Sequence, residues 1–182
     1  IDVRKFVMKI DDDHLYHGAA LMQIAEHDQF TAINVLELSG KPTRAAFRIN
    51  SDIAIYLKYA SKPRKAYREY MFNFKPKHLA ELEEMSRMHP KTFIALVCIQ
   101  AREICCLTYR ELAQLRTRRE KAVGMPEQNL SVLVTAPPGK GFRAYVNAPG
   151  KKGKLLGKPI IINRKAFPES LFAPSRGRGA SR

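Results

Sequence analysis

The feature that most constrains the fold is a short apolar run near the middle of the chain, Thr92 to Ile99. It is rich in strand-forming residues and has almost no polar positions. A continuous apolar strand needs cover on both faces of its sheet, whereas an alternating strand buries only one. The run therefore predicts a central strand with packed layers on both sides, which is an α/β or mixed α+β architecture.

Two helices are predicted in the first half of the chain. Asp11-Asp12-Asp13 suits the positive end of a helix that we place over 14–27. The residues expected on its inner face are Leu15, Ala19, Met22 and Ala25. Pro76 favours the first turn of a second helix over 77–88, because proline at that position loses no hydrogen bond.

A third helix has the clearest local signal. Thr108-Tyr109-Arg110-Glu111 is a capping box, in which each end residue accepts a hydrogen bond from the backbone of the other. Gly124 is expected to end this helix.

Strand patterns account for much of the remaining chain. The predicted strands are 45–49, 53–59, 67–74, 92–99, 104–107, 130–135, 142–146 and 160–162. In the second of these, Ile53, Ile55 and Leu57 alternate with other residues, so we expect one buried face. The third contains Tyr70, Phe72 and Phe74 at the same spacing.

The order of elements is helix, three strands, helix, two strands, helix and a β-rich end. It predicts a mixed α/β core over 1–124 and a basic β-rich extension of the same domain over 125–172. The segment 173–182 is expected to be a disordered basic tail, because it has proline, glycine and arginine but few core residues.

Charge indicates the class of partner. The 182 residues include 32 Lys and Arg against 17 Asp and Glu, a net charge of +15. Residues 121–182 contribute +10 of this excess. A field of this sign and asymmetry favours a polyanion, because cations that neutralise phosphates release condensed counterions. We expect a nucleic acid, with DNA favoured over RNA.

Two groups of basic residues are candidates for this contact. They are Lys62, Arg64, Lys65 and Arg68 in one loop, and Lys140, Arg143, Lys151, Lys152 and Lys154 in Gly- and Pro-rich loops. Aromatic residues interleave with the first group, which suits base stacking. The spacing of Tyr70, Phe72 and Phe74 suits core packing better.

Other classes are disfavoured. No apolar run is long enough to span a membrane, and the charged start Ile-Asp-Val-Arg-Lys does not resemble a signal peptide. Cys98, Cys105 and Cys106 lack zinc-ligand spacing and are expected to be buried, reduced thiols. We therefore expect a cytoplasmic protein.

Over roughly residues 12–107, the order of elements resembles the core of the restriction-endonuclease-like PD-(D/E)XK superfamily. The resemblance implies Asp52 and Glu26 as Mg²⁺ ligands, and Lys58 as the lysine that orients water or holds the scissile phosphate. These three are the candidate catalytic residues. Tyr56 stands where the family has an acidic residue two positions before the lysine.

The prediction is therefore a nucleic-acid-binding protein with a nuclease-like fold and a degenerate metal site, with Mg²⁺ as the expected cofactor only if the protein is an enzyme. One alternative is an active Mg²⁺-dependent DNA endonuclease. The second is a protein-interaction subunit that binds an acidic partner or a ribonucleoprotein. A homodimer is left open.

Overall fold

The computed structural model describes residues 9–174, which form four helices and two β-sheets in a mixed α/β fold. The helices are α1 (Asp12–Ala25), α2 (Pro76–Met88), α3 (Tyr109–Val123) and α4 (Glu169–Phe172). The strands are β1 (Ile33–Leu38), β2 (Lys41–Ile49), β3 (Ile53–Ala60), β4 (Tyr70–Phe74), β5 (Lys91–Cys98), β6 (Glu103–Thr108), β7 (Leu130–Thr135), β8 (Phe142–Tyr145) and β9 (Ile160–Ile162).

The first sheet has five strands in the order β1-β2-β3-β5-β6. β3 and β5 are parallel, and the other neighbours are antiparallel. The apolar run forms β5, an inner strand between β3 and β6, and contributes residues to the cores on both faces, as its sequence predicts. The expectation of one buried face on β3 is wrong, because Ala54 and Tyr56 are as buried as Ile53 and Ile55.

Each face of this sheet has its own hydrophobic core. One core contains Ile55, Leu57 and Val97 of the sheet with residues of α1 and α4. The other contains Tyr56 and Leu96, residues of α2 and α3, and the inner face of the second sheet. Burial on both faces is the reason that β3 and β5 are apolar at successive positions.

The second sheet joins distant parts of the chain. Its four antiparallel strands have the order β4-β7-β8-β9. β4 comes from the predicted core and the other three strands from the predicted extension. Tyr70, Phe72 and Phe74 point inward and are buried, while Met71 and Asn73 point outward. The interpretation of these aromatic residues as core is confirmed.

Helix α1 differs from its predicted orientation. The four residues expected to face inward are all exposed. The buried residues are instead His17, Ala20 and Ile24, which recur at helical spacing on the opposite side. Leu15 and Met22 were misleading, because both are apolar but lie on the exposed side of the helix, 55% and 60% exposed.

Local signals elsewhere are reliable. Thr108 and Glu111 form the predicted capping box, with hydrogen bonds of 3.2 and 2.8 Å. Gly124 ends α3 in the left-handed region at φ 81°.

Strand β1 was not predicted, because four of its six residues are exposed at the sheet edge. Most of the predicted tail, including Arg176, Arg178 and Arg182, lies outside the described residues.

Candidate functional site

A cleft of ≈ 790 Å³ lies between strands β2 and β3 and the first turns of α1 and α2. We call it the β3–α2 cleft. Basic side chains exceed acidic ones on its walls. The lining includes the cations Lys41, Arg44, Lys58 and Lys77, the histidines His17 and His78, and the acids Asp13 and Glu81.

Lys58 projects from β3 into this cleft and is half-buried. Its Nζ lies 3.3 Å from Nδ1 of His78 and 5.1 Å from the ring centroid of Phe74. The backbone N–H of Lys75 donates to the same Nδ1 at 3.2 Å. An atom that accepts from a backbone N–H carries no proton, so Lys58 is also a donor to His78. His78 therefore accepts from one of the three N–H donors of the Lys58 ammonium and leaves the other two unused.

Burial affects the titration of this pair. Desolvation lowers the pKa of Lys58, and the nearby Glu81 carboxylate opposes that effect. Desolvation also lowers the pKa of His78, and the positive charge of Lys58 adds to the effect. His78 is therefore a neutral acceptor near pH 7, and Lys58 has no ion pair with a carboxylate among residues 9–174.

Glu81 is the buried acid of the cleft, with 4% of its surface exposed. The hydroxyl of Tyr56 donates to its Oε2 at 2.8 Å, and Nζ of Lys77 lies 3.7 Å from its Oε1. Burial, and then the hydrogen bond to Glu81, raise the pKa of Tyr56. Both carboxylate oxygens thus have partners other than Lys58.

The opposite wall contains His17 and Arg44. Nδ1 of His17 lies 2.9 Å from the carbonyl oxygen of Arg44, so this nitrogen donates. Desolvation lowers the pKa of His17. The guanidinium of Arg44 forms ion pairs with Asp11 at 2.8 Å and Asp13 at 4.0 Å. Its charge is therefore partly neutralised, in contrast to that of Lys58.

The structure places Asp52 just before β3, Lys58 towards the other end of that strand, and Glu26 at the end of α1. Asp52 precedes β3 and pairs with Lys91 at 3.1 Å. Lys58 lies six residues further along the strand, a separation of about 20 Å at the usual rise. Glu26 is exposed at the C-terminal end of α1. The parallel neighbour β5 places Leu96, not an acid, beside Lys58.

Asp52 and Glu26, the predicted metal ligands, belong to no larger cluster of potential ligands within the described residues. Within residues 9–174, no group of three or more His, Cys, Asp and Glu is arranged to hold a metal. Mg²⁺ prefers charged oxygen ligands, but Glu81, the buried acid near Lys58, is hydrogen-bonded to Tyr56.

Sequence reasoning missed Glu81, His78 and His17. Each shares a helix face with core residues: Glu81 with Leu82 and Met85, and His17 with the buried positions of α1. A polar residue on the apolar face of a helix could have identified them, because a buried polar group requires a specific partner.

The four cations of the loop 62–68 differ in their exposure and pairing. Lys62, Lys65 and Arg68 are exposed. Arg64 instead forms an ion pair with the fully buried Glu69, which also accepts a hydrogen bond from the hydroxyl of Tyr145. Burial, followed by that hydrogen bond, raises the pKa of Tyr145.

The structure brings part of the second basic group near this loop. Arg64, Lys151 and Lys152 line a pocket of ≈ 330 Å³. Lys154 is exposed in the same loop as the two lysines. Lys140 and Arg143 are exposed at and beside the β7–β8 turn, and they do not line this pocket.

The cysteines are buried, as predicted. Desolvation raises the pKa values of Cys98 and Cys106 to about 12 and that of Cys105 well above its ordinary value. Thiolate chemistry at neutral pH is therefore disfavoured at all three.

Among the helices described, none has the length and apolar character needed to cross a membrane.

Comparisons with protein-family models, curated proteins and solved structures gave no match for this chain.

Proposed function

We propose that this protein binds nucleic acid and that the β3–α2 cleft receives the phosphate backbone. The observation that carries the proposal is the environment of Lys58. It is a half-buried ammonium whose close partner is a neutral histidine, with no carboxylate in ion-pair contact among residues 9–174. A buried cation is stable when it is paired, and a phosphate oxygen is a suitable partner.

The surrounding residues support an anion rather than a cation as the ligand. Lys41 and Lys77 are exposed on the walls of the cleft. Glu81 and Asp13 are already in contact with Tyr56, Lys77 and Arg44. The field inside the cleft is consequently positive, as the net charge of +15 favours for the whole chain.

We further propose a restriction-endonuclease-like core over residues 12–107, with a degenerate metal site. The order α1, β2, β3, α2, β5 and β6 supports it. The expected third strand, 67–74, corresponds to β4 and lies in the other sheet, while β1 is an unpredicted strand of the five-stranded sheet. The parallel pairing of β3 with β5 is also consistent with that core. In this interpretation the protein binds nucleic acid without cleaving it. Tyr56 stands where the family has an acidic residue, and its hydroxyl donates a hydrogen bond to Glu81, the buried acid of the cleft.

The test is a binding titration with labelled DNA at low salt, comparing the native protein with Lys58→Met. Methionine keeps much of the side-chain volume and removes the charge. Since a charge-assisted hydrogen bond is lost, we expect affinity to fall roughly tenfold.

Lys91→Met is the matched control. It removes the same charge from a half-buried lysine that pairs with Asp52 outside the cleft. Its affinity should stay within about twofold of the native value. Equal losses in both variants would assign binding to net charge alone. An absence of binding to any nucleic acid would favour the protein-interaction alternative.

A further inference from the structure

Strand β1 lies at the edge of the five-stranded sheet formed by the described residues. Its neighbour among residues 9–174 is β2, so one side of its backbone has no partner strand there. Edge strands are usually protected from further pairing by lysine, by proline or by a bulge. β1 contains neither lysine nor proline, and its bulge lies between Val35 and Glu37. The segment before the bulge is therefore open to another strand.

The open backbone groups belong to Ile33 and Val35. The N–H of Asn50 donates to the carbonyl of Ala32 at 2.8 Å, so the backbone of Ala32 faces β2. Alternate residues of an antiparallel strand bond to the same neighbour, so the backbone groups of Asn34 face β2 as well. The N–H and C=O groups of Ile33 and Val35 consequently point away from the sheet. They provide up to about four hydrogen bonds to an added strand.

A groove of ≈ 460 Å³ lies beside this edge, between α1 and strands β1 and β2. We call it the α1–β1 groove. Its apolar lining includes Leu21, Val35 and Phe47, and Val35 is 54% exposed. Gly18 lines the same groove, and a Cβ at that position would have no atom within 4 Å. The groove thus has an accessible apolar wall on β1 and open space above α1.

The apolar surface continues along the outer side of α1. Leu15 and Met22 are 55% and 60% exposed. They lie one turn before and one turn after Gly18, which places all three on the same side of the helix. Helices with apolar residues on all sides are normally buried. This exposed side therefore favours contact with another molecule.

Charge indicates the chemistry of that molecule. Residues 10–40, which include α1 and β1, contain six Asp and Glu and no Lys or Arg, although the net charge of the chain is +15. Arg44 is the cation in the lining of the groove, and it is paired with Asp11 and Asp13. A basic partner is therefore favoured. The acids of this region that are exposed and form no ion pair within residues 9–174 are Asp12, Glu26, Asp28 and Glu37.

The same charges disfavour a second copy of this chain at the edge. Two copies paired antiparallel through β1 would place their α1 helices on one face of the joined sheet. Both helices are acidic on their exposed side, so repulsion opposes that arrangement.

We propose that β1 and the α1–β1 groove bind an extended basic segment of a partner protein, which adds a strand to the sheet. Its main chain pairs with Ile33 and Val35, and its alternate apolar side chains enter the groove beside Gly18. Its lysines or arginines lie near the acids of 10–40. In this mode of recognition the main-chain bonds give affinity and the groove gives specificity. The inference is independent of the nucleic-acid proposal, since Lys58 and His78 take no part in it.

The probe is a labelled peptide of about eight residues that alternates lysine and valine, compared with one that alternates glutamate and valine. Fluorescence anisotropy should show binding of the lysine peptide at least roughly tenfold tighter, because acids surround the groove. Hydrogen exchange at the amides of Ile33 and Val35 should slow when the lysine peptide is present, because those N–H groups then donate to its main chain.

Val35→Lys should weaken binding of the lysine peptide at least roughly tenfold, because lysine on an edge strand opposes pairing and repels a basic segment. Ile161→Lys is the matched control, since Ile161 is an exposed isoleucine on β9, the edge strand of the other sheet. It should change the affinity less than about twofold. Gly18→Leu places a side chain in the groove and should weaken binding as well.

Equal affinity for the two peptides, no binding of either, or unchanged exchange at Ile33 and Val35 would overturn this inference. Equal losses in Val35→Lys and Ile161→Lys would assign binding to net charge and overturn it too. Self-association of the native protein that Val35→Lys abolishes would assign the edge to a second copy instead. If Val35→Lys does not fold, Gly18→Leu decides, and undiminished binding in that variant would reject the groove.

Discussion

The β3–α2 cleft and the 62–68 loop are both basic, but they differ in how their central cation is neutralised. In the loop, Arg64 is paired with the fully buried Glu69. In the cleft, Lys58 contacts the neutral ring of His78, while the buried Glu81 is bound by Tyr56. The Arg64 charge is thus neutralised within the protein, whereas the Lys58 charge has no carboxylate in ion-pair contact among residues 9–174.

The difference teaches that a count of cations does not identify a binding surface. Arg64 and Lys58 look equivalent in the sequence, since each lies in a segment rich in Lys, Arg and Tyr. Their roles depend on whether a buried carboxylate is within reach. We therefore propose a structural role for the charge of Arg64 and a ligand-binding role for the charge of Lys58.

The largest expected effect concerns the loop. Glu69→Ala leaves the Arg64 charge without its buried partner, so the free energy of unfolding should fall by about 3–5 kcal/mol. Chemical denaturation measures this. The control is Glu83→Ala, which removes an exposed pair with Arg87 and should cost less than about 1 kcal/mol. Similar losses in the two variants would contradict a structural role for the Glu69 pair.

A smaller effect is expected in the cleft. Tyr56→Glu removes the donor to Glu81 and places a second carboxylate beside it, which should lower stability by roughly 2–3 kcal/mol. Because two carboxylates form a better cation site than one, Mg²⁺ or Mn²⁺ should recover part of the loss. Thermal denaturation with and without the ion measures both effects.

Tyr56→Phe is the control for this result. It removes the same hydroxyl without adding charge, so added Mg²⁺ should not change its stability. Recovery by Mg²⁺ in Tyr56→Phe, or none in Tyr56→Glu, would show that Glu81 is not positioned as described. Asp52→Ala should not alter the Mg²⁺ response, because Asp52 lies at the other end of β3.

The third effect is a pH dependence of folding stability that comes from the histidines of the β3–α2 cleft. The 62–68 loop contains no histidine and should not contribute to it. Burial lowers the pKa values of His17 and His78 below 6.5, so the unfolded chain binds more protons just below that pH. Stability should therefore decrease as pH falls through 6.5 and stop decreasing below the folded-state pKa values. Denaturant titrations across this range measure the slope.

His17→Gln tests the source of that slope. Glutamine keeps a donor for the Arg44 carbonyl but does not titrate, so part of the pH dependence should disappear. An unchanged slope in this folded variant would assign the effect to other groups.

Local sequence signals predicted much of the fold. The capping box at Thr108, the end of α3 at Gly124 and the buried run of β5 were recognisable, because each depends on neighbouring residues only. Strand β1 and the inner face of α1 were not, because they depend on which distant surface covers them.

The candidate site was predictable only in part. Lys58 was chosen from the same resemblance in element order as Asp52 and Glu26. Lys58 contacts His78, and Tyr56 contacts Glu81; both contacts join β3 to α2, 20 and 25 residues later in the chain. Residue spacing along the chain does not specify contacts of this kind. Asp52 and Glu26 were chosen from a resemblance in element order, which carries no information on distance.

The measurement that tests the central claim most directly is the salt dependence of DNA binding by the native protein and by Lys58→Met. If the Lys58 ammonium neutralises one phosphate, the slope of log affinity against log salt should fall in magnitude by about 0.9 in this variant. The Lys91→Met slope should equal the native one, since Lys91 pairs with Asp52. An unchanged slope in folded Lys58→Met would contradict phosphate binding in the β3–α2 cleft.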